Sequence, residues 1–238
     1  MFAFLNRVFS RRRPLARPIS KSVVLSGHNY AELHRIRERI LDTLQRQNQK
    51  TVLVVSPHED AGNTLLVSLL GFNTASFTDI KVVLVDLNMR RPQLHIPFGL
   101  KIERGFTEFA AGSLKLKESL KSSNLSGLQI MTAGRHVEDL HRYLNPALLE
   151  GLIRDMQQDF DLIIFDSSPV LIRNRNNVDP VLLSTICDMV LMLAQDKKTP
   201  KARLRDAIAA ISDGGGTVSG IVYNKQFEKG LAALIRGK

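Results

Sequence analysis

Hydrophobic residues along the chain alternate between short continuous runs and longer stretches in which they recur at helical spacing. Residues 29–47 show the helical spacing, with Leu33, Ile36 and Ile40 three or four positions apart and Arg and Glu between them. Residues 51–55 are apolar apart from a first threonine, which is typical of a strand buried on both faces. The pattern predicts strands over 51–56, 81–86, 128–132, 161–166, 189–194 and 218–223, and helices over 29–47, 63–72, 105–121, 146–158 and 200–212.

The predicted strands and helices alternate along the chain, and several strands are apolar throughout. Both features indicate a mostly parallel sheet with helices on both faces, so we expect an α/β, doubly wound fold. The 238 residues contain no repeat and no low-complexity linker, which fits a segment of residues 1–20 followed by one domain over 21–238. Ligands of such sheets bind beyond the carboxyl ends of the strands. The ends at Asp86 and Asp166 and the loop 56–64 would therefore lie together.

Composition places the chain among soluble globular proteins, with 44% hydrophobic and 24% charged residues. No apolar run approaches the roughly 18 residues expected of a membrane-spanning helix. The single cysteine, Cys187, lies in a mostly apolar stretch and is expected to be a core thiol in a reducing compartment. Arg7 and Arg11 interrupt the apolar residues at the start, which argues against a secretory signal. We therefore expect a cytoplasmic location.

The formal net charge of +10 is partly concentrated at the N-terminus, where residues 1–20 hold five arginines and no acid. Phenylalanine, leucine and valine side chains alternate with these arginines. Residues 1–17 would thus suit a short amphipathic anchor on an anionic membrane surface. They would equally suit an acidic protein surface, or a tail whose charge is incidental. Nucleic acid is the least favoured of these partners.

The loop 56–64 stands where a phosphate-binding loop would stand, between a buried strand and the start of a helix. In a working loop, glycines let backbone N–H groups approach phosphate, a lysine neutralises charge, and a hydroxyl coordinates Mg²⁺. Gly62 and Thr64 fit this pattern, but the lysine position holds Asn63. Glu59 and Asp60 would also repel a triphosphate. Taken alone, the segment is better explained as an ordinary corner between a strand and a helix.

Two strand-end acids strengthen the case for a nucleotide site. Asp86 and Asp166 each follow an apolar strand, where a carboxylate can hold Mg²⁺ or position a nucleophile. Each acid alone could simply stabilise a turn. With Thr64 they form a candidate Mg²⁺ site, and Gly62 and Asn63 complete the candidate ATP-phosphate site. Arg90 and Arg91 follow Asp86 and could supply the charge that the loop lacks.

The ordered set of motifs resembles the cytoplasmic ATPase domain of bacterial tyrosine kinases of capsule and exopolysaccharide biosynthesis, within the MinD/ParA branch of P-loop NTPases. The match covers residues 22–228, and its most specific part is the segment 86–100. That segment is similar to the family's Asp-x-Asp-x-Arg-Arg-Pro motif, which runs on to Phe-Gly-Leu. The segments 105–112, 128–135, 166–170 and 220–225 also follow the family pattern. The resemblance implies a P-loop fold, ATP and Mg²⁺ as cofactors, and a purine contact by Asn224.

Several positions depart from that family. Asn63 replaces the loop lysine, Asn88 replaces the second acid of the Asp-x-Asp motif, and Ser168 replaces a proline. The helix at 29–47 matches the family's oligomerisation helix only loosely, so self-association through it stays open. The family carries a C-terminal tyrosine cluster that it phosphorylates, whereas the three tyrosines of this chain are Tyr30, Tyr143 and Tyr223.

Three interpretations follow from the resemblance and its departures. The first is a regulator or assembly partner of a polysaccharide co-polymerase membrane protein, peripheral at the inner membrane, which binds ATP weakly or not at all. The second is an active ATP-dependent protein-tyrosine kinase or ATPase in which Arg90 or Arg91 replaces the lysine charge. The third is a MinD/ParA-like positioning ATPase. The missing lysine favours the first, and the Arg-Arg-Pro segment favours the first two over the third.

Overall fold

Eight strands form one sheet in the computed structural model, which describes residues 19–25, 30–136, 140–172 and 177–224, with backbone alone for 19–25 and Tyr30. Apart from its last two positions, the predicted basic segment 1–20 lies outside the described residues, as does the chain after Asn224. The strands are β1 (Ile19–Leu25), β2 (Thr51–Val55), β3 (Val82–Asp86), β4 (Leu120–Ser122), β5 (Leu128–Met131), β6 (Leu162–Asp166), β7 (Met189–Gln195) and β8 (Gly220–Asn224).

The strand order is β1-β8-β7-β2-β6-β3-β5-β4, and every neighbouring pair is parallel except β4 with β5. This confirms the predicted mostly parallel sheet. The helices are α1 (Tyr30–Arg46), α2 (Asn63–Phe77), α3 (Phe106–Ala110), α4 (Leu116–Ser119), α5 (Pro146–Asp159), α6 (Pro180–Ile186) and α7 (Lys201–Asp213), with a 3-10 turn at Leu140–Arg142. Cys187, after α6, is a free thiol packed against the core.

Two layers of apolar side chains cover the two faces of the sheet. On one face, alternate residues of β2 such as Val52 and Val54 share a core with α1 and α2. On the other face, Leu53 and Val55 share a core with α5, α6 and α7. This alternation follows from the two-residue period of a strand, and it explains why β2 is apolar throughout: neither face meets water.

The predicted helix over 105–121 is wrong. The chain forms α3 and α4 as two short helices there, separated by residues 111–115, and then pairs β4 with β5 in antiparallel register. Gly112 adopts a left-handed conformation with φ of 73°, which ends α3. Glu118 then accepts the N–H of Lys115 at 2.8 Å and begins a new turn. The helical spacing of apolar residues is present, but it is divided between two elements.

The sequence pattern also misses three elements and shortens one. It does not predict β1, β4 or α6, and α2 continues to Phe77 rather than ending at residue 72. For α6 a signal exists, because Asp179 caps the helix by accepting the N–H of Val181 at 2.9 Å and Pro180 occupies the first helical position. The other boundaries lie within two residues of the prediction.

Close packing of α2 on the sheet fixes the helix that begins at the candidate site. A Cβ added to Gly71 would lie 2.6 Å from Cδ2 of Leu84 on β3, so any larger residue would force the Leu84 side chain or the helix to shift. Since α2 is held against β3 in this way, its first residues stand at the carboxyl end of the sheet. There they lie beside the ends of β6 and β3, which are adjacent strands.

Candidate functional site

The loop between β2 and α2 keeps a tight turn although it lacks most of the usual glycines. Gly62, with φ of 107°, and Asp60, with φ of 58°, both adopt left-handed backbone conformations. Glycine does so freely, and aspartate is among the few other residues that do so at modest cost. The hydroxyl of Ser56 donates to the carbonyl of His58 at 2.9 Å, and the Ser56 carbonyl accepts the N–H of Val170 at 2.8 Å. The turn is therefore held from within and by the segment that follows β6.

Asn63, at the lysine position, is directed into the protein. Its side chain is 9% exposed, and its Nδ2 donates to the Ser167 carbonyl at 3.2 Å, while no partner is found for its Oδ1 among the described residues. The next residue, Thr64, donates its hydroxyl to Oδ2 of Asp166 at 2.6 Å. Both side chains thus tie the start of α2 to the end of β6.

Asp86 and Asp166 lie opposite each other in the register of β3 and β6, and both are fully buried. The oxygens of Asp86 accept the N–H groups of Asn88 and Leu94, each at 3.1 Å. Burial raises the pKa of Asp86 to about 7, although these bonds oppose the rise. Burial, and then the charge of Asp86, raise the pKa of Asp166, while its bond from Thr64 lowers it. The pair therefore resists carrying two negative charges near neutral pH.

The two candidate replacement cations are paired with the two loop acids. Nη1 of Arg90 lies 3.4 Å from Oε1 of Glu59, and Nη1 of Arg91 lies 3.2 Å from Oδ1 of Asp60 and 3.4 Å from Oε2 of Glu59. Ion pairs as exposed as these contribute only about 0–1 kcal/mol each. They nevertheless neutralise the loop acids and place both guanidinium groups at the mouth of the site.

Asn224 lies at the end of β8, where its side chain is buried and donates from Nδ2 to the Ala61 carbonyl at 3.1 Å. The residue predicted to contact a purine thus supports the loop. Sequence reasoning misses two further side chains. Nε2 of His58 lies 2.7 Å from the Thr199 hydroxyl, and Oδ1 of Asn177 accepts the N–H of Met89 at 2.8 Å. Neither has a sequence signal, because each depends on a partner far away along the chain.

These residues surround a cleft of about 280 Å³ at the carboxyl edge of the sheet. Its walls come from the loop, from the segment after β3 and from the segment after β6; they include Glu59, Asp60, Gly62, Asn63, Thr64, Arg90, Arg91, Ile96, Pro97, Ser168 and Ile172. The structure thus brings together every predicted site residue, directly at the cleft or immediately behind it. Over the part of the chain that the structure describes, no group of three His, Cys, Asp or Glu side chains is arranged to hold a metal ion.

Comparison with known sequences finds bacterial tyrosine kinases, although no family model matches the chain. It is 24% identical over 192 residues to the tyrosine-protein kinase Ptk of Acinetobacter johnsonii, covering 81% of this chain and 26% of that protein. It is 22% identical over 191 residues to the putative tyrosine-protein kinase CapB of Staphylococcus aureus, covering 80% of this chain and 81% of that protein. The chain therefore spans about a quarter of Ptk but most of CapB.

Comparison with solved structures identifies the fold. The kinase domain of the Escherichia coli tyrosine kinase ETK aligns with a TM-score of 0.75 at 18% identity, over 84% of this chain and 79% of that chain. The septum site-determining protein MinD from Pyrococcus horikoshii, solved with Mg-ADP, aligns with a TM-score of 0.62 at 14% identity, over 79% and 77%. The fold is thus that of MinD/ParA-like P-loop NTPases, and the resemblance to bacterial tyrosine kinases is confirmed. No helix in the described ranges is long and apolar enough to cross a membrane.

Proposed function

We propose that this chain is a cytoplasmic regulator or assembly partner in exopolysaccharide or capsule biosynthesis and export, and that its ATP binding is weak or lost. One observation carries the proposal: the lysine position holds Asn63, whose amide is buried against the Ser167 carbonyl. Similarity to CapB and Ptk supports the relationship to polysaccharide-locus tyrosine kinases. A protein with this fold can still act as a binding partner after its phosphate-binding loop has lost the lysine charge.

The charges around the loop oppose triphosphate binding. Asparagine can donate a hydrogen bond to phosphate, but a charge-assisted bond is about twice as strong. Glu59 and Asp60 stand in the same turn and would repel the phosphates. The two arginines that could compensate are already paired with these acids. ATP would therefore have to break those pairs and gain only neutral donors from the loop.

A bound Mg²⁺ would have to be held by Thr64, Asp86 and Asp166, and their geometry suits it only in part. Oδ1 of Asp166 is buried without a partner among the described residues, so it is a free oxygen ligand. The Thr64 hydroxyl, however, is directed to Asp166, and both oxygens of Asp86 accept backbone N–H groups. When bound, the ion would offset phosphate charge. This site lacks the lysine that would share that task.

An active ATP-dependent tyrosine kinase or ATPase is the second candidate. The observation that favours it is the position of Arg90 and Arg91, whose guanidinium groups reach the loop acids at 3.2–3.4 Å. Released from those acids, the same groups could approach a phosphate, and phosphoryl transfer depends mainly on positioning and charge neutralisation. In that case Asp86 and Asp166 would serve the metal.

The partner in this proposal is a polysaccharide co-polymerase membrane protein, met at the inner membrane. Residues 1–17 would contribute by binding its acidic surface or anionic lipid, and α1 could support self-association. Deletion of 1–17 should release the protein from vesicles of anionic lipid in a co-sedimentation assay at low salt. Retention of the truncated protein on such vesicles would remove the anchor from the proposal.

Titration calorimetry with Mg-ATP tests the central proposal. We expect no measurable heat or very weak binding, whereas the kinase domain of ETK, run in parallel, serves as the control with the same fold. Micromolar affinity of this chain for Mg-ATP would overturn the proposal and favour the active enzyme. An accompanying assay of ATP hydrolysis separates binding without turnover from catalysis.

A further inference from the structure

Three buried polar atoms, in residues that line the cleft or lie directly behind it, have no hydrogen-bond partner among the described residues: Oδ1 of Asn63, Oδ1 of Asp166 and Oγ of Ser168. Asn63 and Ser168 line the cleft, and Thr64, which also lines it, donates to the other oxygen of Asp166. Buried polar atoms in folded proteins nearly always have a hydrogen-bond partner, and one without a partner destabilises the folded state. Three at one place indicate a ligand that the chain itself does not supply.

The chemistry of these atoms selects a hydrogen-bond donor with positive charge. The amide oxygen of Asn63 can only accept, the oxygen of Asp166 accepts when ionised, and the hydroxyl of Ser168 can accept as well as donate. An ammonium group has three donors and no acceptor. It therefore matches the three atoms in number and in kind, whereas phosphate oxygens only accept and would find no donor in the amide oxygen of Asn63 or in an ionised Asp166.

The charge balance also favours a cation. Four acids lie in or directly behind the cleft, namely Glu59, Asp60, Asp86 and Asp166, although the whole chain carries a formal charge of +10. Arg90 and Arg91 balance the two acids at the mouth. Within the described ranges, the hydrogen bonds to the two buried aspartates come from neutral donors. A buried carboxylate pair of this kind is stabilised by an opposite charge within a few ångströms.

The apolar lining of the cleft suits an aliphatic chain. Ile96, which is 50% exposed, Pro97 and Ile172 line it, together with Leu65 at the start of α2. Methylene groups pack on such surfaces while a charged end reaches polar partners. The cleft therefore offers both an apolar contact surface and hydrogen-bond acceptors, which are the two kinds of group that a lysine side chain contacts.

We propose that the cleft binds a primary ammonium group on an aliphatic chain, carried by a lysine side chain of a second polypeptide or by a free alkyl amine. The ammonium supplies the positive charge that is missing because Asn63 stands in place of a lysine. This inference rests on the proposed function, because a tightly bound nucleotide would occupy the same cleft. It gives that function a ligand class: the regulator would recognise a lysine-bearing partner rather than ATP.

Titration calorimetry without nucleotide tests the inference with three probes: Nα-acetyl-lysine methylamide, the same compound acetylated on Nε, and n-butylamine. We expect the first to bind with a Kd of about millimolar size, as is usual for one side chain, and the Nε-acetylated compound not to bind. Tighter binding of the lysine derivative than of n-butylamine would assign the site to a polypeptide. The reverse order would assign it to a free amine.

Variants show whether the ligand occupies this cleft. Asn63→Lys places an ammonium there within the chain, so it should abolish binding of the lysine derivative, and Ser168→Ala should weaken binding several-fold. Glu150→Gln removes an exposed acid on α5 and is the matched control for a change of charge, with binding unchanged. Equal binding of the Nε-acetylated compound, or undiminished binding by Asn63→Lys, would overturn the inference. Because Mg-ATP is titrated separately, failure of the proposed function is distinguished from failure here.

Discussion

Restoring the loop lysine is the sharpest test of why this cleft would bind ATP poorly. We predict that Asn63→Lys raises the affinity for Mg-ATP, because the β2–α2 turn already fixes the position of the start of α2. The left-handed backbone at Gly62 and the bond from Thr64 to Asp166 both show that the helix start is ordered without the lysine. A lysine there would lose only the 3.2 Å bond from the Asn63 amide to Ser167.

The size of the gain follows from the bond that is added. A hydrogen bond to a charged group contributes about 1.5–3 kcal/mol, which corresponds to about 10- to 150-fold in Kd. Part of that gain is lost if the new ammonium pairs with Glu59 or Asp166 instead of phosphate. Adding Glu59→Gln and Asp60→Asn removes the competition from the loop acids and frees Arg90 and Arg91. Since the loop acids are partly exposed, we expect only about a further two- to fivefold.

The assay compares Mg-ATP affinity by calorimetry for the wild type, Asn63→Lys, and the variant with all three changes. Asn63→Gln is the control for length, because it extends the side chain without adding charge. Thermal unfolding of each variant confirms that the chain still folds. Affinity should rise in the order wild type, single variant, triple variant, with Asn63→Gln close to the wild type.

Two results would refute this reasoning. If neither lysine variant gains affinity while both remain folded, then the backbone of the turn no longer presents N–H groups to phosphate, and lysine was not the missing element. If Asn63→Gln gains as much as Asn63→Lys, then reach rather than charge limits binding. Either result would require a different account of the loop.

Two further predictions concern stability. The pKa of Asp86 is raised to about 7 in the folded protein, so between about pH 4 and pH 7 the folded state holds a proton that the unfolded state has released. The free energy of unfolding should therefore fall as pH rises through that range. Asp86 contributes at most about 1.4 kcal/mol to this fall for each pH unit. Asp86→Asn should flatten that dependence in denaturant unfolding at pH 5 and pH 8, and a wild type with equal stability at both would contradict it. Arg37→Ala should lower the free energy of unfolding by about 2–3 kcal/mol. The reason is that Arg37 is 3% exposed and donates to the Asn73 side chain at 2.9 Å and to the Asn73 carbonyl at 3.2 Å. Arg35→Ala on the exposed side of the same helix should cost below about 0.5 kcal/mol, and equal losses for the two arginines would show that the buried bonds contribute nothing.

Most of the fold could be predicted because its signals are local. Strands such as β2 and β7 are buried on both faces, so their apolar runs are visible in the sequence. Helix α5 begins with Asn145, whose side chain accepts the Leu148 N–H at 2.9 Å, and with a proline at its first turn. β4 has three residues and forms because the edge of β5 is open to pairing. Nothing within residues 105–121 reveals that edge.

The candidate site was predictable in its positions but not in its contacts. Parallel topology brings the ends of β3 and β6 together, so Asp86 and Asp166 had to be neighbours once the strands were assigned. Which groups they meet depends on side chains from remote segments. Asn63 and Ser167 are 104 positions apart, and His58 and Thr199 are 141 positions apart. Such pairs depend on exact tertiary placement, which periodicity does not encode.

The contacts at the loop argue for a rebuilt site rather than a damaged one. Simple loss of a lysine would leave Glu59 and Asp60 with no counter-charge, and the start of α2 with no hydrogen bonds to a neighbouring segment. Instead, Arg90 and Arg91 pair with these acids, and Asn63 and Thr64 bond to the β6 segment. The loop acids therefore have counter-charges, whereas the two buried aspartates accept hydrogen bonds only from neutral donors among the described residues. The ammonium ligand proposed above would supply a positive charge to these aspartates, which an incoming phosphate would not.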